Sequence, residues 1–187
     1  MTNITLAADI PLESSLVIKE RSLTLDLAGH KLENTVDLWS DESWSILSVS
    51  NATLVLEDSG DTGIVKAKEN DCYTIDIDEG GTVYINGGTY NSNISAVYLY
   101  GDNASCYIAG GIFKIQQLNT NGVESPYGLM INIYNPNRDS VRCIITGGIF
   151  EGFNPAEPEE GGIQYLPEGY TTQYDPANNT YTVVKED

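Results

Sequence analysis

The sequence is poor in positive charge. Nine Lys+Arg stand against 27 Asp+Glu, with a single histidine, His30, so the formal net charge is −18. Such a surface repels phosphate backbones and anionic lipid headgroups, which disfavours nucleic acid and membrane surfaces as partners. The three cysteines, Cys72, Cys106 and Cys143, are odd in number and widely spaced. They fit neither a disulfide framework nor a paired-cysteine zinc site, and reduced thiols are expected. No run approaches the roughly 18 apolar residues of a membrane-spanning helix. The stretch from Met1 to Asp9 lacks the basic and apolar regions of a secretory signal; with Met1 taken as the native start, the product is expected to stay soluble where it is made. Only two methionines accompany 18 glycines and 12 tyrosines, a balance that favours strands and tight turns over helices. What remains is 41 % apolar in 187 residues, enough for one folded unit with a core.

Self-similarity is the strongest positive signal. Three segments align without gaps: Val83-Tyr84-Ile85-Asn86-Gly87-Gly88-Thr89-Tyr90, Cys106-Tyr107-Ile108-Ala109-Gly110-Gly111-Ile112-Phe113 and Cys143-Ile144-Ile145-Thr146-Gly147-Gly148-Ile149-Phe150. Each reads as an alternating strand, a Gly-Gly corner, a β-branched residue and an aromatic. Alternation turns Val83, Ile85, Cys106, Ile108, Cys143 and Ile145 inward and Tyr84, Tyr107 and Ile144 outward. A further strand precedes each segment, at Ile75-Asp76-Ile77, Val97-Tyr98-Leu99 and Ile131-Asn132-Ile133, so a repeat has at least two strands and two corners. Weaker copies occur at Leu47-Ser48-Val49 with Leu54–Gly60, and at Leu25–Gly29.

Taking Leu27, Leu56, Ile85, Ile108 and Ile145 as equivalent gives spacings of 29, 29, 23 and 37 residues. Constant strands with corners of variable length suit a solenoid, in which an insertion disturbs no neighbour. The expected fold is therefore an all-β, right-handed parallel β-helix of about five or six coils over residues 1–153. Ile85, Ile108 and Ile145 form one internal ladder and Tyr90, Phe113 and Phe150 another. Cys106 and Cys143 occupy the Val83 position and read as small core residues. Neighbouring coils would also lie within disulfide reach of each other. Residues 154–164 form a Pro/Gly/Glu linker, and 165–187 a β-hairpin around Asp175-Pro176-Ala177-Asn178-Asn179, serving as a cap or an oligomerisation segment.

The phrase Leu23–Leu32, the Gly-Gly-aromatic corners, and the ending Tyr165–Tyr170 with Tyr181-Thr182-Val183 resemble right-handed parallel β-helix proteins of pectate-lyase-like fold. The resemblance is to the variety found in gut bacteria and their tailed phages, and it covers nearly the whole chain. It implies a phage virion protein, such as a head fibre or capsid-decorating protein, or else a secreted bacterial surface protein. The lack of an export signal favours the first, localised to a virion assembled in the host cytoplasm. The rival implication is a polysaccharide-binding or polysaccharide-degrading module on a phage tail spike or bacterial surface, with host glycan as partner.

Catalysis finds little support in the residues. Polysaccharide elimination needs a positioned base, usually beside a Ca²⁺ cluster, and no lysine or arginine here sits in such a pattern; Lys66 and Lys68 read as a solvated face. Hydrolysis needs two flanking carboxylates. Asp76, Asp78 and Glu79 are the best cluster, with Asp76 and Asp78 on one outward face, but the following repeats put Tyr98 and Tyr100, then Asn132 and Tyr134, at those positions. His30 has no triad partner at a suggestive spacing and reads as a turn residue. A non-enzymatic role without cofactor or metal is expected. The candidate interface is aromatic: Tyr84, Tyr98, Tyr100, Tyr107 and Tyr134 on the outward faces, with Tyr170, Tyr174 and Tyr181 in the hairpin. Tyrosine offers large contact area at small entropic cost. Such a stripe suits a homo-oligomer (dimer or trimer), a contact with another virion or capsid protein, a glycan platform, or simply stacking between repeats.

Overall fold

The computed structural model describes the chain except residues 39–43, 69–71, 117–118, 121–122, 125–128, 158–162 and 187. Parts of the expected linker and of the polar stretch 116–126 thus lie outside the described residues. Strands make up 49 % of the structure and helix is almost absent, so the protein is all-β with long parallel sheets, an architecture compatible with a β-helix or solenoid.

The first sheet runs β1 (Thr2–Thr5), β4 (Leu23–Asp26), β7 (Thr53–Glu57), β10 (Thr82–Ile85), β13 (Ser105–Ile108) and β18 (Arg142–Ile145), every pair parallel. The second holds β2 (Ile10–Leu12), β5 (Lys31–Asn34), β8 (Ile64–Lys66), β11 (Thr89–Ser92), β14 (Ile112–Ile115) and β19 (Ile149–Glu151), again parallel. The hairpin β20 (Tyr170–Asp175) and β21 (Thr180–Lys185) completes it, with β21 antiparallel to β19. The third sheet contains β3 (Leu16–Lys19), β6 (Ser45–Ser50), β9 (Tyr73–Ile77), β12 (Val97–Leu99) and β17 (Ile131–Ile133). From β1 to β14 the chain visits the three sheets in strict rotation. A short antiparallel pair, β15 (Asn119–Thr120) and β16 (Val123–Glu124), interrupts it before β17, β18 and β19 resume the order.

Register follows the apolar pattern, because a one-residue slip would turn every core side chain to water. Ile4, Leu25, Leu56, Ile85, Ile108 and Ile145 are successive partners across the first sheet. The equivalence of Leu27 with Leu56 is corrected: Leu25 pairs with Leu56, 31 residues on, while Leu27 lies past the end of β4, also buried. Both leucines share one parity, and a two-residue shift keeps the inward face apolar. Repeats also have three strands, and residues 1–22 already form a full set, β1 to β3.

In the second sheet Ile10, Leu32, Val65, Tyr90, Phe113 and Phe150 stack in turn. Ring centroids are 5.1 Å apart for Tyr90–Phe113 and 4.8 Å for Phe113–Phe150, with the ring planes nearly parallel. That is the strand spacing of about 4.8 Å expressed in side chains. The Tyr90 hydroxyl escapes an unsatisfied burial by donating to the Gly87 carbonyl at 2.9 Å. Cys106 and Cys143 are register partners and buried free thiols, and the hydrogen bond between them, together with burial, holds the Cys106 pKa well up.

The Gly-Gly corners have two separate causes. Gly111 and Gly148 adopt φ of 98° and 102°, which a side chain rarely tolerates. At Gly147 the constraint is proximity: a Cβ would stand 2.1 Å from the Ala109 carbonyl oxygen of the adjacent corner. Two outcomes follow for urea denaturation. Phe113→Ala, removing the middle ring of the stack, lowers stability by about 3–5 kcal/mol. Gly111→Ala, whose Cβ would stand 3.3 Å from the Tyr90 ring, lowers it by about 1–3 kcal/mol, chiefly through backbone strain.

Candidate functional site

The tyrosines predicted from the sequence fall on three separate surfaces. Tyr84 and Tyr107 are register partners on the outward side of the first sheet, their rings stacked at 4.9 Å, with Tyr84 40 % exposed. Tyr174 and Tyr181 stack at 4.6 Å on the hairpin, whereas Tyr170 packs against the core.

The richest surface is the outward side of the third sheet. Val17, Ser48, Asp76, Tyr98 and Asn132 occupy one register row there. Tyr98 meets Tyr73 at 5.1 Å and Tyr100 at 5.6 Å, and Tyr100 meets Tyr134 at 5.0 Å. Trp44 closes the group edge-on, 4.8 Å from Tyr100 and 6.2 Å from Tyr98. Edge-to-face and tilted arrangements place the positive ring edge against a negative face, the favourable geometry for aromatic clusters. Burial pushes the Tyr98 hydroxyl pKa upward, with further help from its tyrosine neighbours. Trp44 and Tyr73 escaped the sequence reading. Trp44 precedes β6 outside any repeat, and only its proximity to an alternating strand hinted at a role.

Beneath these rings lies Asp76, and here the expectation of an outward carboxylate pair needs correction. Asp76 is only 3 % exposed, accepts hydrogen bonds from the Ser45 and Ser48 hydroxyls, and lies on β9. Asp78 lies beyond the end of β9, half-buried, and Glu79 is exposed. The three carboxyls therefore occupy different environments. Burial, aided by nearby Asp78, raises the Asp76 pKa to about 6 against the lowering effect of the two serine hydroxyls. The buried thiol of Cys72 is likewise pushed up to about 12, chiefly by burial.

Other acids are engaged in corner construction. Asp26 accepts from the Ala28 and Ser59 amides, both at 2.9 Å, and from the Ser59 hydroxyl at 2.7 Å. Asp58 accepts from the Gly29 amide at 2.8 Å and the Gly63 amide at 2.6 Å. Each carboxylate thus ties two successive corners together, and the Ser59 hydrogen bonds hold the Asp26 pKa below its ordinary value. The Asp-x-amide spacing of an Asx turn was the available sequence signal. A groove of about 720 Å³ runs along these corners, lined by Asp26, Glu57, Asn86, Gly110 and Ile149 among others.

The remaining candidates have structural partners too. His30 sits in a turn with its amide on the Leu27 carbonyl and Nδ1 3.6 Å from Asp9. Lys66 ends β8 and pairs with Glu33 at 3.0 Å, and Glu33 also holds Lys31 at 2.7 Å. Lys68 lies past that strand, its Nζ donating to the Thr35 carbonyl at 3.0 Å, so the two lysines do not share one strand as expected. Among the described residues no group of three or more His, Cys, Asp or Glu is arranged to hold a metal ion, and no helix is long and apolar enough to cross a membrane. Compared with known proteins, the chain matches no family model, no curated protein and no solved structure.

Asp76 yields a signed pH dependence. The folded chain binds this proton more tightly than the unfolded chain, whose carboxyl has the ordinary value of 3.8. Its stabilising contribution is therefore complete below that value and is lost as pH rises through about 6. Asp76→Asn keeps an acceptor for the serines without the charge. By chemical denaturation it should exceed the parent in stability at pH 8 by about 1–3 kcal/mol, with the difference vanishing near pH 4.

Proposed function

We propose that this chain is a right-handed parallel β-helix of six coils that serves as a non-enzymatic structural protein of a phage particle, as a head fibre or capsid-decorating protein. The three-sheet rotation and the in-register ladders support the helical reading, one coil for each strand of the first sheet. The observation that carries the structural role is the pair of outward aromatic groups, Tyr84 with Tyr107 and the Trp44 cluster, held on a stacked frame. Stacked coils fix these rings at the strand spacing, giving a preorganised, weakly charged contact surface on a strongly acidic molecule. Asp76, from the expected acidic cluster, and the corner residues Asp26 and Asp58 are engaged in hydrogen bonds that build the frame, which supports the same reading. The sequence resemblance supplies the phage context.

A second reading, a glycan platform, is favoured by the Trp44, Tyr98, Tyr100 and Tyr134 cluster, since sugar rings stack on such surfaces. Two measurements separate the two. Light scattering on the Tyr84→Ala/Tyr107→Ala variant should show a lower molar mass than the parent, and particles assembled without the protein should lack a visible projection. Retention of Tyr100→Ala and parent protein on immobilised host polysaccharide tests the second: retention of the parent that Tyr100→Ala abolishes would favour the glycan platform over the virion role.

A further inference from the structure

The two ends of the sheet stack differ. At the carboxyl-terminal end β21 covers the edge of β19, the Ile145 amide donates to the Tyr165 carbonyl at 2.9 Å, and Phe153, Tyr165 and Leu166 are buried over the last core layer. At the amino-terminal end the core ladders stop at Ile4, Ile10 and Leu16. Ile4 is 45 % exposed and Leu16 38 %. Among the described residues β1, β2 and β3 each have one neighbouring strand, as do β17, β18 and β20 at the other end, but only the amino-terminal end leaves its core ladders uncovered.

These three edges are not equivalent. β2 contains Pro11, which has no amide to donate, and β3 ends in Lys19, followed by Glu20 and Arg21. Proline and charge are the usual guards of a sheet edge. β1, Thr2-Asn3-Ile4-Thr5, has neither guard, is rich in β-branched residues and is exposed along its whole length. Charge is also distributed in favour of contact here. Residues 1–22 hold three acids and two bases, leaving 24 acids and seven bases, a charge of −17, on the remainder. A second copy approaching this end meets a nearly neutral layer, with the bulk of the negative charge held further along the stack.

We infer that the amino-terminal end is an isologous interface, at which two copies join end to end with β1 of one antiparallel to β1 of the other and their Ile4, Ile10 and Leu16 layers in contact. A two-fold axis beside an edge strand pairs that strand with its own symmetry mate in opposite directions. At the carboxyl-terminal end Phe153, Tyr165 and Leu166 cover the core, so a head-to-tail contact would set the Ile4, Ile10 and Leu16 layer against a capped layer, whereas the two-fold contact joins two apolar layers. The inference goes beyond the proposed virion role and does not use the tyrosine faces.

The test is light scattering with small-angle X-ray scattering on the full chain. The Ile4→Asp/Leu16→Asp variant, changed at positions already exposed, should show half the molar mass of the parent. The same halving should appear when both changes are added to Tyr84→Ala/Tyr107→Ala, whatever lateral association that background retains. For the parent, the scattering envelope should be about twice as long as a single stack of roughly 30 Å. A parent mass that the end substitutions leave unchanged, a side-by-side envelope, or open-ended filaments would each overturn the inference. Should the variant fail to fold by circular dichroism, the parent envelope decides alone.

Discussion

The structure depends on one constraint: parallel strands must meet in register, so that each inward residue rests on its equivalent one strand away. Hydrogen bonding sets the strand spacing, and the side chains inherit it. The near-parallel, stacked Tyr90, Phe113 and Phe150 rings are the clearest expression, because aromatic stacking and ladder hydrogen bonding demand almost the same separation. Where a position in a ladder is small, as at Cys106 and Cys143, it follows the Val83 position of the same ladder. The core is thus a set of columns, each column specified by residue type rather than by a single interlocking contact.

Polar residues divide between two tasks under that constraint. At the corners, Asp26 and Asp58 accept amides that would otherwise lack partners where the chain leaves its strands. The Ser59 hydrogen bonds favour the ionised form of Asp26. On the third sheet Asp76 is the reverse, a carboxyl enclosed between serines and beside the aromatic group, where the neutral form is favoured up to about pH 6. The same residue type is shifted in opposite directions, down by hydrogen bonds at Asp26 and up by burial at Asp76, and both arrangements serve the frame.

Much of the architecture was legible in the sequence because strand alternation and Gly-Gly corners coincide at Ile85, Ile108 and Ile145. Where only one signal was present, the reading slipped. Leu25-Asp26-Leu27 alternates equally well in either of two registers, and nothing local selects Leu25 as the partner of Leu56. Residues 1–22 have no Gly-Gly corner, so their three strands left little trace. The aromatic candidates were recognisable singly from their outward parity, but not their grouping, which depends on Trp44 arriving from a non-repeating segment. Burial of Asp76 was hidden for a related reason: alternation states which face a residue takes, not what covers that face.

The cap formed by Tyr165 and β21 is made after the layers it covers. While the nascent chain emerges, every finished layer offers a template to the next, and the growing end stays adhesive until residues 165–185 leave the ribosome. Premature termination within that span would release molecules with the last core layer uncovered, prone to stick to one another through it.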